Sequence, residues 1–147
     1  MHTVQSILNE IKAGDIRPLY FLMGEEAFFI DQISTFIETS VLDETQRGFD
    51  QTTIYGKDTS IDAIVSSAKR FPMLAERQVI VVKEAQNLSR TIEDLLPYVK
   101  TLNTQLLWLF ATSINRLIKE KLCTRHYLKH MLFLKVKKYM TVKFLLG

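Results

Sequence analysis

At 147 residues the chain has room for one domain with a real core, and 47% hydrophobic with 24% charged residues are ordinary globular values. No run of 18 apolar residues reads as a membrane span. The net charge of +3 hides a split: residues 1–99 carry 9 Lys/Arg and 15 Asp/Glu, whereas residues 100–147 carry 10 Lys/Arg and only Glu120.

Such asymmetry usually means an acidic domain with a basic arm for nucleic acid or membrane. The N-terminus, Met1 to Ser6, has neither a charged segment nor an apolar one, so no signal peptide is expected. A single Cys123 rules out an internal disulfide and suits a reducing compartment. A cytoplasmic α/β domain with no membrane partner is the expectation.

Val4, Ile7, Leu8 and Ile11 have helical spacing, and Gly14 is a fitting stop. Leu19 to Met23 reads as a short buried strand ended by Gly24. Glu25-Glu26 opens a helix, where acids suit the positive end of the macrodipole. Phe28, Phe29, Ile33, Phe36 and Ile37 give that helix an apolar face. Phe49 to Tyr55 reads as a second strand. Thr59 or Ser60 caps a helix through Ile61, Ile64, Val65 and Ala68.

Pro72 should end that helix near Phe71. Arg77 to Lys83 is the third strand. Its Val79 to Val82 are four β-branched residues between charges, the pattern of a strand buried on both faces. Ser89 to Ile92 starts a helix through Leu95 and Leu96, interrupted by Pro97. Thr104 to Phe110 is apolar enough for a fourth strand. Strand and helix alternate, which predicts a parallel sheet with flanking helices.

The junction Leu22-Met23-Gly24-Glu25-Glu26 sits where a phosphate loop would sit. A working loop needs several glycines, a Lys for charge and a Ser/Thr for magnesium. This one has a single Gly and two acids that would repel phosphate. Nucleotide hydrolysis is not expected, and neither is a cofactor. His126 and His130 stand i, i+4, but no Glu or Cys completes a metal site at a suitable spacing. Asp58, Asp62, Glu25 and Glu26 fit solvated helix faces or caps better than an acid/base pair. No catalytic constellation stands out.

Lys69-Arg70 followed by Phe71, Met73 and Leu74 has two readings. Phe71 and Leu74 are core residues at a helix end, with the basic pair facing water. Alternatively the turn presents an apolar plug to a partner's pocket, with cations at its rim. Met suits such surfaces because it is flexible and polarizable.

In order and spacing, several stretches resemble a known family. They are Leu19 to Glu26 with Phe28 to Asp31, Tyr55-Gly56-Lys57-Asp58, Ala68 to Leu74, and Arg77 to Gln86. Together they look like the N-terminal part of the delta subunit of bacterial DNA polymerase III, a clamp-loader component, over roughly residues 1–99. The resemblance implies an AAA+-like (RecA-like) domain that has lost its nucleotide site. It also implies a non-catalytic subunit that binds the sliding clamp (beta subunit), helps open it, and meets DNA indirectly. In that family two adjacent apolar residues on the turn wedge into the clamp. The matching positions are Met73 and Leu74, with Phe71 packing the helix end beside them and Lys69 and Arg70 as rim contacts.

After Val99 the resemblance stops where the charge flips. The family would continue with a strand, a basic segment and further domains that meet other clamp-loader subunits. From Trp108 onward a shifted reading frame permits Val-Val-Cys-Tyr-Lys-His-Lys-Ser-Ile-Asp-Lys-Arg-Lys, which looks like that continuation. Residues 100–147 are therefore expected to be out-of-frame translation that truncates the domain of residues 1–99. In that case Thr104 to Phe110 is apolar by chance, and Ile114 to Lys138 gives a poorly patterned helix. The alternative is a genuine basic tail that binds nucleic acid through phosphate contacts.

Overall fold

In a computed structural model of the chain, residues 4–24, 27–99, 105–113, 132–136 and 141–143 are described. Helix α1 (Val4–Lys12) buries Val4, Ile7, Leu8 and Ile11, the expected stripe. It stops before Gly14, whose φ of +83° favours a residue without a Cβ. Strand β1 (Leu19–Gly24) follows, then α2 (Ala27–Ser40).

A short helix α3 (Glu44–Asp50) leads directly into β2 (Gln51–Tyr55). Next come α4 (Ile61–Ala68), β3 (Gln78–Lys83), two 3-10 turns, α5 (Leu96–Val99) and β4 (Leu106–Ser113). Strands β5 (Leu132–Val136) and β6 (Thr141–Lys143) complete the described elements.

The six strands form one sheet in the order β2-β3-β4-β1-β5-β6. All pairings are parallel except β5 with β6. The two core clusters follow the strand alternation. Leu19, Phe21, Ile80, Val82, Trp108 and Phe110 point to one face, toward α4 and the 3-10 turns. Tyr20, Leu22, Val79, Val81, Leu107 and Leu109 point to the other, toward α1 and α2. Side-chain period 2 in strands makes this two-sided core possible, and helices cover both faces. Val79 to Val82 are fully buried, as the β-branched run predicts. Each such side chain contributes roughly 1.5–3 kcal/mol relative to exposure.

Three strands, β4, β5 and β6, come from beyond residue 99. Strand β4 is central, between β3 and β1, with Trp108 paired to Leu19 on one side and Ile80 on the other. Its Phe110 stacks on Phe21 at 5.5 Å between ring centroids.

Several sequence expectations need correction. Phe28 does not belong to the apolar face of α2: it is 70% exposed, and Ile30, Ile33, Ser34 and Ile37 are the buried set. Phe49 is not in a strand, because Phe49 and Asp50 end α3. Pro97 does not interrupt a helix. It sits in the first turn of α5, where its missing N–H costs nothing. The segment Leu132–Val136, expected within a helix, is a strand paired with β1. The remaining residues of that expected helix, with His126 and His130, lie outside the described residues, as do Glu25 and Glu26.

Gly56 is required by close approach. A Cβ there would stand 2.4 Å from the carbonyl oxygen of Glu84, itself left-handed at φ 53°.

Candidate functional site

Ser60 opens α4 by accepting the N–H of Ala63, so the cap is Ser60, not Thr59. The helix ends at Ala68, just before the stop expected from Pro72. Two of its last carbonyls are satisfied locally. Val65 accepts from the N–H of Lys69, and Ser67 accepts from that of Arg70. The Ser67 carbonyl also accepts from the buried Gln78 side chain at 3.0 Å. This last bond closes the base of the turn between α4 and β3. Arg77 braces its far side by donating to the carbonyl of Ile16 at 3.1 Å.

The tip is held by Asp50. Its carboxylate accepts the backbone N–H of Met73, of Leu74 at 2.7 Å and of Ala75 at 2.6 Å. The reason these groups meet is topological. Asp50 immediately precedes β2, the turn precedes β3, and the two strands are parallel neighbours that enter the sheet from the same edge. Asp50 is 3% exposed. Burial alone would raise its pKa, but the three N–H groups outweigh it and hold the carboxyl below its ordinary range. The carboxylate stays charged, and charge-assisted bonds of this kind are stronger than neutral ones.

With its backbone fixed, the tip turns apolar side chains to water. Met73 is 74% exposed, Leu74 54% and Phe71 76%. Phe71 does not pack the helix end as expected, and Leu74 is not core. Phe71 borders a groove of about 220 Å³, also lined by Val65, Tyr98 and Trp108. Lys69 and Arg70 are exposed, and the Lys69 ammonium lies 5.2 Å from the Tyr98 ring centroid. All five sequence-predicted positions of this turn are therefore on one surface feature.

Gly24 is elsewhere. It ends β1 opposite Ser113 and Val136, at the carboxyl edge of the sheet, whereas the turn lies at the amino edge, where β3 begins. Nucleotides in open α/β sheets bind at the carboxyl edge. Among the described residues no group of His, Cys, Asp and Glu could hold a metal ion, and no helix is long and apolar enough to cross a membrane.

Sequence reasoning missed Asp50. The available signal was Asp43-Glu44-Thr45-Gln46, which makes a full capping box. It places Phe49 and Asp50 at a helix end, and so puts a buried acid just before a strand.

A family model described as DNA polymerase III, delta subunit, matches residues 20–138, beyond the Val99 limit of the sequence reading. The DNA polymerase III subunit delta of Bacillus subtilis (strain 168) is 20% identical over 143 residues, covering 91% of this chain and 41% of that protein. A solved DNA clamp loader delta protein of the same organism superposes with a TM-score of 0.74 at 20% identity, covering 92% of this chain and 42% of that one. A gamma subunit-related protein of DNA polymerase III from Thermotoga maritima gives a TM-score of 0.59 at 13% identity, over 92% and 46%. The chain thus spans about two fifths of the length of the delta proteins it matches.

Proposed function

Because the chain belongs to the DNA polymerase III delta subunit family, we propose that it docks on the replication sliding clamp by seating Met73 and Leu74 in a pocket of that ring. The observation that carries this reading is the exposure of two adjacent large apolar side chains on a turn whose backbone is fixed. Burying them in a partner returns energy that water now withholds. Such anchors typically account for about 2 kcal/mol or more each. Phe71 widens the apolar patch. Lys69 and Arg70 at its rim speed encounter with an acidic partner surface.

The work is mechanical. Binding energy biases the clamp toward its open form, and the chain contributes no chemistry. The degenerate Gly24 junction supports a domain without nucleotide hydrolysis or cofactor. The site of action is the cytoplasm, with the replication machinery. Contacts with other clamp-loader subunits, and through them with DNA, are part of the same reading. The docking turn lies within residues 1–99, and β4 from beyond Val99 fills the sheet between β3 and β1. Residues 100–147 are read out of frame, and the apolar run Leu106–Phe110 still pairs as β4.

Titration of the 147-residue chain against the clamp tests the docking. Saturable binding that disappears in the double variant Met73→Ser with Leu74→Ser supports it. Unchanged affinity in that variant sinks it.

A further inference from the structure

The tip of the docking turn has no helix or strand of its own, since residues 69–77 form only turns and bends. Its shape rests on one side chain from more than twenty residues upstream. Successive backbone N–H groups that converge on one point make an anion-binding nest. Here the anion is the protein's own, the Asp50 carboxylate, bonded to the N–H groups of Met73, Leu74 and Ala75. We propose that Asp50 is the positioning residue of the docking turn, holding the backbone in the shape that turns Met73 and Leu74 outward together. This role rests on the docking reading above.

The geometry favours positioning over plain stability. Ala75, the last residue of the nest, packs against the core under α1 and α2, while Met73 and Leu74 face water. The carboxylate therefore ties the exposed pair to a fixed neighbour. Without it, the amides of the tip can turn to water, and the pair samples many orientations. Asparagine at the position keeps the volume but has one acceptor oxygen in place of two and no charge, so at least one N–H of the nest faces an NH₂ group and the remaining bonds weaken.

The consequence follows from population arithmetic. If the docking-competent fraction falls to about one tenth, the apparent Kd rises about tenfold. That loss falls on association, because dissociation starts from a turn already seated.

The test compares wild type, Asp50→Asn and the Met73→Ser, Leu74→Ser pair, each as the full chain against the sliding clamp. Asp50→Asn is expected to lower kon by about tenfold while koff stays within about twofold. Loss of the anchors is expected to raise koff. Wild-type kon in Asp50→Asn overturns the proposal.

Amide exchange on the free chain separates this inference from the docking reading. The N–H groups of Met73, Leu74 and Ala75 are expected to exchange at least about tenfold slower than in an unstructured chain. Asp50→Asn should speed exchange in this cluster, most at the N–H left facing its NH₂ group, and leave β3 protected. A wild-type chain that ignores the clamp but shows this pattern ends the docking reading and keeps Asp50 as the turn's holder. Free-chain exchange at the three amides of the wild type overturns the Asp50 role, whether or not the variant folds.

Discussion

Leu74 donates its backbone N–H to a carboxylate oxygen of Asp50 at 2.7 Å, across 24 residues of chain. The bond joins the end of α3 to the tip of an exposed turn. It makes an apolar side chain on that turn a fixed feature of the surface. A floppy loop with the same residues would pay the ordering cost at every encounter.

Acid should loosen this link. Burial pushes the Asp50 carboxyl up, the three N–H groups push it down further, and the net folded value lies below the ordinary one. A depressed folded pKa means stability that is fully present above the unfolded value of about 3.9. It is lost as pH falls through the folded pKa. Thermal unfolding from pH 6 downward should show a gap between wild type and Asp50→Asn that is constant near neutrality and closes below about pH 4. A gap that widens with acid would contradict the assignment.

Trp108 is the single tryptophan, 2% exposed, and its indole N–H has no hydrogen-bond partner among the described residues. Its ring meets Phe110 edge-on, with centroids 6.1 Å apart. Trp108→Ala should cost about 3–5 kcal/mol through cavity formation at the sheet centre. Trp108→Phe should cost clearly less, because it keeps most of the ring volume and removes an unpaired buried donor. Denaturant melts followed by circular dichroism check the order. Equal losses would mean that the indole N–H contributes to stability.

The coding DNA bears on the segment after Val99. If residues 100–147 are out of frame, a single-base shift near codon 100 should restore codons for a family-like strand and basic segment. Sequencing of the gene decides it, and a shifted frame that yields no such continuation rejects the proposal.

Much of the fold was legible because it depends on local pattern. Val79 to Val82 declared a doubly buried strand, and Ile7, Leu8 and Ile11 declared a helix face. Phe28 has helical spacing but stands outside the buried stripe, because α2 meets the sheet through Ile30, Ile33 and Ile37. Periodicity finds a stripe, but neighbours decide its edges. Family resemblance alone singles out Met73 and Leu74 as docking residues. From residue type alone, two large apolar residues after a helix fit a core equally well. Asp50 was not legible as their holder, since its partners are backbone N–H groups that no side-chain pattern encodes. Strand β5 was missed for a related reason. Its place is set by pairing with β1, far away in sequence.

The central claim is that clamp docking uses Met73 and Leu74 and not apolar exposure in general. Phe28 supplies the control, being 70% exposed on α2. The most direct measurement is clamp affinity for wild type, the Met73→Ser, Leu74→Ser pair and Phe28→Ser, side by side, with melting temperatures as the check on folding. The expected result is a loss of about 100-fold or more for the pair, wild-type affinity for Phe28→Ser, and melting temperatures close to wild type for both. Equal affinity of the pair and wild type, or an equal loss in Phe28→Ser, would contradict the claim.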